Sequence, residues 1–457
     1  VPTPDFRPTA LADRPVPADR PLPTHGPVEV RVPRQRRAPE PAYPERPSAT
    51  APRPVEVSEA PQGLAGRRAL VRLLTGHGLA TLAQTTTSLA AGAYALERTG
   101  SASLASLTVA LGVLPYVVLS GLAGLVADLL PRSTVLAWSC GLRALLVAAS
   151  AGVMVLDGPV GWLAVLAVLA AVAATPAYPS VAASVTQCVP DEGLERWNAV
   201  ATGVENLAWL VGPGLFGLLM VVGCPPSVVA LVAAVVCTVA VLPVLGVRLS
   251  RPARGSETSP GWAAEALAGL RLVASRPRLR AAMGLAMVDN FLYGYVVVTL
   301  VLLAGGAGGV LPGALTVGAL VAVVVTGRLA RAVRTTRLAT AGLLAFVLAL
   351  LGTGLATRAA GVDLRLALPL VGLAGAATLV AEIAAVTVLQ RDSDPAVLAR
   401  VFGVYDQLNV GAIAVGSALA GPLAQVLGAG PALVGVAVGA GVVAALVARG
   451  LRRAPAV

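Results

Sequence analysis

Four acidic residues lie inside long apolar runs of the chain, where a charge is expensive: Glu205, Asp289, Glu382 and Asp406. An ionisable side chain at the centre of a membrane-spanning helix costs about 2.5–3.5 kcal/mol on insertion scales, so each is a candidate for function. The chemistry open to such an acid is proton carriage. Burial favours the neutral form and water the charged one, so the group can take a proton in one conformation and release it in another. The plainer alternative for all four is a satisfied hydrogen bond between helices. Asp289 heads a polar group with Asn290, Tyr293 and Tyr295. Gln84, Thr85, Thr86 and Thr87, together with Tyr178, could hydrogen-bond a substrate, although threonine in a helix also bonds its own backbone. Arg143 requires an acid or a carbonyl and reads as half of a structural charge pair. His77 lies near the end of its run and is set aside.

The surroundings of these residues define the class of molecule. The chain is 56% hydrophobic and only 12% charged, with a mean hydropathy of +0.80. Soluble domains carry about a quarter charged residues, so this is the composition of a polytopic membrane protein. A net charge of +11 and a pI near 10.5 do not indicate nucleic acid, because the arginines cluster between apolar runs and are not interleaved with aromatics on one face. No lysine occurs anywhere. That excludes a phosphate-cradling P-loop and any cofactor bound as a Schiff base. Cys140, Cys188, Cys224 and Cys237 lack metal-ligand spacing, and His25 and His77 are the only histidines, so neither cofactor nor metal is expected. The glycine run 305–309 reads as a loop and not as a phosphate cradle.

Residues 1–62 hold 16 of the 35 prolines and no sizeable aliphatic run, which predicts a disordered tail. From Leu70 onward come apolar runs of about 20 residues, long enough to cross a bilayer as helices. Twelve can be placed, at 70–96, 103–127, 134–156, 160–186, 198–222, 226–247, 281–304, 309–330, 337–357, 364–388, 401–427 and 430–448. Arginine is concentrated before the first run, between the sixth and seventh, between the eighth and ninth, and after the last. Basic residues stay in cytoplasmic loops, so both termini are expected in the cytoplasm and the four acids roughly 9–14 Å deep from that side. Within 250–280, Trp262, Leu267, Leu270 and Val273 share one helical face. This predicts a helix along the membrane surface, linking an N-terminal set of six (63–249) to a C-terminal set (281–448).

The two sets repeat. Arg196, Gly212 and Gly217 recur as Arg400, Gly416 and Gly421 at a shift of 204 residues, while Gly124 and Asp128 align with Gly327 and Arg331 at a shift of 203.

Two parallel six-helix sets resemble the major facilitator superfamily. That family's turn between helices 2 and 3 reads roughly G-x-L-A-D-R-x-G-R-R. Here Gly124, Asp128 and Arg132 match it, while Leu129, Pro131 and Ser133 stand where a base, a glycine and a second base are usual. Gly212-Pro213 with Gly217 is similar to the antiporter signature GPxxGG. Leu114-Pro115, Arg143-Ala144, 99–101 and 398–403 look like the drug-exporting branch related to enterobactin and macrolide exporters, in which Gln84 stands where an acid is frequent. The resemblance covers about residues 65–450. It implies an all-α fold of twelve transmembrane helices, a cavity lined by helices 1, 4, 7 and 10, and a monomer in the bacterial cytoplasmic membrane. It also implies proton-coupled efflux of an amphipathic small molecule. A metabolite or lysolipid transporter and a non-transporting sensor or scaffold remain as alternatives; no nucleophile or paired-acid arrangement points to an enzyme.

The resemblance brings Asp128 to the start of helix 11, which begins with Arg400, and the repeat then brings Arg331 to the start of helix 5, where Asp191, Glu192 and Glu195 lie. A carboxylate at a helix N-terminus is stabilised by the helix dipole, and oppositely charged contacts of this kind would latch the cytoplasmic side shut. Arg331→Glu should cripple transport, with partial rescue by Arg at Glu192 or Glu195. Full activity of the single variant removes the latch.

Overall fold

The apolar runs fold as helices because a bilayer offers no partner for an unpaired backbone amide. A computed structural model describes residues 64–119, 130–190, 193–249, 262–303, 310–332, 335–358, 361–393 and 398–453. The helices are α1 (Leu64–Thr99), α2 (Ala102–Leu111), α3 (Arg132–Val155), α4 (Val160–Ala174), α5 (Ala177–Cys188), α6 (Leu194–Val221) and α7 (Pro226–Val244), followed by α8 (Trp262–Ser275), α9 (Pro277–Leu303), α10 (Val310–Ala332), α11 (Thr335–Leu355), α12 (Leu364–Asp392), α13 (Leu398–Leu427) and α14 (Ala429–Arg453). Among the described residues, ten helical spans are long and apolar enough to cross a membrane. The 36-residue α1 is not one of them, since His77, Gln84 and Thr85–Thr87 make its middle polar.

Two predicted runs are interrupted, each at proline. The run from 103 breaks at Gly112–Val113, where the amides fall back on Val109 and Ala110 (3.1 and 3.0 Å) before the chain turns helical again over 114–119 around Pro115. The run from 160 divides into α4 and α5 at Thr175–Pro176, with Pro179 a turn later. Proline lacks the amide that would continue the ladder. The fold is all-α, as expected, apart from one small feature. Two-residue strands β1 (Thr357–Arg358) and β2 (Gly361–Val362) pair antiparallel between α11 and α12. Asp363 then caps α12, accepting from the Arg365 amide at 3.1 Å.

Helix α1 packs on α7, α6, α2 and α3, and α9 packs on α13, α14 and α12. Contacts of α2 with α13 and of α6 with α10 tie these groups together. Within the 250–280 segment a helix is present as α8, with Val273 buried in one cluster with Leu279 and Met283, and Leu267 and Leu270 half exposed. The N-terminal tail, Gly124, Asp128 and the glycine run 305–309 lie outside the described residues. Arg331 and Arg400 fall within α10 and α13, but their side chains are likewise outside the described set, as is the acidic group at Asp191, Glu192 and Glu195.

The repeated glycines perform the same task twice. A Cβ on Gly212 of α6 would run into the Thr85 side chain of α1, and one on Gly416 of α13 would run into the Phe291 carbonyl of α9 and lie 2.9 Å from the Tyr295 nitrogen. Each lets one helix lie directly on another. Alanine at Gly416 should cost about 1–3 kcal/mol through overpacking, even though alanine is the better helix former. Thermal unfolding in detergent should show Gly416→Ala melting several degrees below the parent and Gly403→Ala, which meets nothing within 4 Å, melting at or above it.

Candidate functional site: a polar layer beneath an apolar cavity

The acids fall into three groups, each organised by helix register. On α6, Glu205 and Trp209 are four residues apart and share a face, so the indole Nε1 donates to Glu205 Oε1 at 3.1 Å. The other carboxylate oxygen meets His77 Nε2 of α1 in a close ion-pair contact. Trp209 stacks edge-on against Tyr116, with centroids 6.3 Å apart, and the Tyr116 hydroxyl lies 3.5 Å from Gln84 Nε2. Tyr293 of α9 donates to the Trp209 carbonyl at 3.4 Å. A chain of contacts therefore runs from His77 through Glu205 and Trp209, across the ring contact to Tyr116, and on to Gln84.

A second group joins α9 to α12. Asp289 and Asn290 are consecutive on α9, while Thr378 and Glu382 are one turn apart on α12. Thr378 donates to Asp289 Oδ2 at 2.9 Å, and Asn290 Nδ2 donates to Glu382 Oε2 at 3.0 Å. Tyr405 of α13 donates to the other oxygen of Glu382. Asp289 is buried, with Oδ1 unpaired, and neither acid has a basic partner among the described residues. In the third group, Tyr178 of α5 hydrogen-bonds Asp406 of α13.

Arg143 departs from the expected charge pair. It is fully buried, yet its Nη2 donates to the Thr81 hydroxyl at 3.2 Å, and it makes no ion pair among the described residues. The physical reason is competition: Glu205, the acid whose charge acts on it, is already held by His77 and Trp209. The threonines of α1 return to their own helix, Thr85 to Leu82 O (2.9 Å), Thr86 to Leu82 O (2.8 Å) and Thr87 to Ala83 O (2.8 Å). Arg132 opens α3 at the end of the undescribed turn.

Next to this layer lies a cavity with a mostly apolar wall. Its wall comes from α1, α2, α3, α4, α6, α9 and α13, with none from α12. Of the four helices expected to line it, 1, 4 and 7 do so as α1, α4 and α9, while the tenth, α12, does not, because its polar face is turned to α9. Gln84 and Tyr293 reach the cavity, whereas none of the four acids does. Sequence reasoning passed over His77, Tyr116, Trp209, Thr378 and Tyr405. A signal existed for most of them: Trp209 and Thr378 stand four residues from an acid, and His77, Thr81, Gln84 and Ser88 form one stripe on α1 at helical spacing. Among the described residues, no three His, Cys, Asp or Glu side chains group as metal ligands would.

Residues 73–417 match the family model of the Major Facilitator Superfamily. The chain belongs to that superfamily. It is thus an integral, multi-pass membrane transporter by family, and its structure is similar to solved transporters of the same fold. One is the nucleoside transporter NupG, at 12% identity and a TM-score of 0.65, covering 84% of this chain and 99% of that one. Another is a bacterial homologue of the human lysosomal transporter Spinster, at 15% identity and a TM-score of 0.60, covering 85% and 95%. A third is a POT family transporter solved with a thioalcohol-conjugated peptide, at 12% identity and a TM-score of 0.63, covering 83% and 95%. At such identities the likeness is one of fold. No curated protein matches the chain.

Within this superfamily member, the His77–Glu205 contact can be weighed directly. Breaking a buried pair by removing one partner leaves a lone charge and costs about 3–5 kcal/mol, while replacing both with apolar residues is often near neutral. His77→Leu and Glu205→Leu should each lower the unfolding temperature in detergent, and the double variant should be more stable than the sum of the two losses by at least about 1 kcal/mol. Strict additivity would mean that the two side chains do not interact.

Proposed function

We propose that this chain is a proton-coupled exporter of amphipathic small molecules in the bacterial cytoplasmic membrane. It works as a monomer, with both termini cytoplasmic, by rocking two six-helix halves about the α2–α13 and α6–α10 contacts. The observation that carries this reading is the pair of acids on α9 and α12, the buried Asp289 and the partly buried Glu382, held by Thr378, Asn290 and Tyr405 with no ion-pair partner among the described residues. An enclosed acid without a counter-charge suits a proton carrier: it keeps a proton while enclosed and yields it when opening brings water. Both acids lie within the C-terminal half, so rocking of the halves changes the access of water to them while the α9–α12 contacts that hold them stay in place.

The family likeness supports transport in general, and the apolar cavity supports an amphipathic cargo. The neighbouring structures include nucleoside and peptide transporters. Export of an amphiphile is preferred for this chain because, among the described residues, its cavity presents no charged side chain to a peptide's termini.

Proteoliposomes holding an entrapped pH-sensitive dye test the coupling. Adding members of a panel of amphipathic compounds should produce a change of lumenal pH with the parent protein. The Asp289→Asn/Glu382→Gln double variant should lose at least about tenfold of that signal while still exchanging cargo across the bilayer, since neutral isosteres keep the hydrogen-bonding shape but carry no proton. An undiminished pH signal from the double variant rules out these acids as the coupling site.

A further inference from the structure

At the end of α2 remote from the arginine-rich loops, the leading amides have identifiable acceptors one by one. A helix start leaves its first N–H groups without partners inside the helix. Gly100 turns the chain through a positive φ of 65°, and the Ser101 amide then donates to Thr99 Oγ1 at 3.1 Å. Ser101 caps α2 by accepting from the Leu104 amide at 3.3 Å, and its carbonyl accepts from the Ala105 amide at 3.1 Å. The amides of Ala102 and Ser103 are left over, and they are answered by Gln425 of α13, which lies 322 residues beyond Ser103 in the chain. Its Oε1 accepts from Ala102 N at 3.0 Å, Ser103 N at 3.3 Å and Ser101 Oγ at 3.1 Å, while its Nε2 donates to Ser103 Oγ at 2.6 Å. The opposite orientation of the amide would set its N–H groups against backbone N–H groups, so these four contacts fix it.

Two further contacts lead from Gln425 down to the cavity. One turn back, Gly421 lies directly on α2, where a Cβ would run into the Ala102 carbonyl. Pro422 has no amide to give the Ala418 carbonyl four residues before it, and that freed oxygen accepts from Ser106 Oγ at 3.4 Å. Ser417 and Val109, the next positions along this seam, already line the cavity.

Resting on the transporter reading, we infer that Gln425 is a latch: by capping α2 from the opposite half it holds the cavity shut at this face, and release of the cap opens it there. On that reading the face is the outer one. A cap in trans suits a reversible closure. Gln425 is exposed, so water takes over the amides of Ala102 and Ser103 as they are released, and the seam parts without stranding a buried donor. The latch also has an electrostatic sign. A helix N-terminus carries partial positive charge, so a carboxylate in place of the amide holds on, whereas an apolar side chain of similar length has no acceptor and lets go.

Alkylation from outside intact cells reads the open population, because a thiol inside the cavity reacts only while the seam is parted. Ala167→Cys places that thiol on the cavity wall of α4, in a chain carrying Cys224→Ser to remove the one native thiol that is not buried. Leu156→Cys lies in the exposed turn that Arg98, at the end of α1, holds through Asp157 O, and its labelling normalises the rates for expression and access. The chain without Ala167→Cys gives the background. With a membrane-impermeant maleimide, Gln425→Met should raise the normalised rate by about tenfold, and Gln425→Glu should stay at or below the parent rate. Met and Glu are both close to Gln in volume, so a packing role alone would not separate them. A parent-like rate in Gln425→Met, equal rates in Gln425→Glu and Gln425→Met, or no labelling of Ala167→Cys in any variant would each overturn the latch. Flux is measured separately: cargo-driven pH change without this labelling pattern removes the latch and leaves transport standing, and the pattern without any flux removes the transport reading alone.

Discussion

A polar side chain surrounded by hydrocarbon must be answered from within the protein, and this constraint shapes the molecule from α1 outward. Helix α1 carries the most polar middle of the long helices, and three members of its stripe have counterparts on other elements. His77 meets Glu205, Thr81 meets Arg143, Gln84 meets Tyr116, and Ser88 faces the cavity. Because those partners lie on α6, α3 and the stretch after α2, the stripe fixes how these helices gather around α1. The acids of α9 and α12 follow the same rule with different partners, hydroxyls and an amide in place of a cation.

Close approach is what makes such short contacts possible. Gly212 allows α6 to lie against α1 so tightly that Thr86 reaches the Gly212 carbonyl at 3.1 Å, and Gly416 allows α13 to lie against α9, where the neighbouring Ser417 reaches Gly294 O at 3.1 Å. The same device thus appears at both copies of the repeat: a glycine removes the bulk, and an adjacent hydroxyl ties the two backbones. Packing of this kind is the main source of helix association in a bilayer, where apolar contact with a helix is little better than apolar contact with lipid.

The separation between the acidic groups and the cavity also follows from these contacts. Acids that have found partners at the α9–α12 and α1–α6 interfaces are withdrawn from the cavity wall, which is left apolar apart from one edge. Trp209 stands between the two zones, with its indole on Glu205 and its ring against Tyr116, so a change at the acid layer has a direct physical route to the cavity edge.

The sequence alone determined the class of the protein and most of its helices, because the number and length of apolar runs depend only on local composition, and the apolar segments, the linking helix and the repeated glycines could be read directly. It also singled out the acids, since cost of burial is a property of residue type. Tertiary structure decided the pairings. Whether Arg143 would meet an acid depended on His77 having taken Glu205 first, and whether α12 would line the cavity depended on α9 occupying its polar face. The prolines at 115, 176 and 179 could be counted in the chain, but where each helix broke was set by the backbone bonds available around them. Partners such as Thr378 for Asp289 are 89 residues away along the chain. Spacing on one helix tells which side chains share a face, and only the packing of helices tells what that face meets.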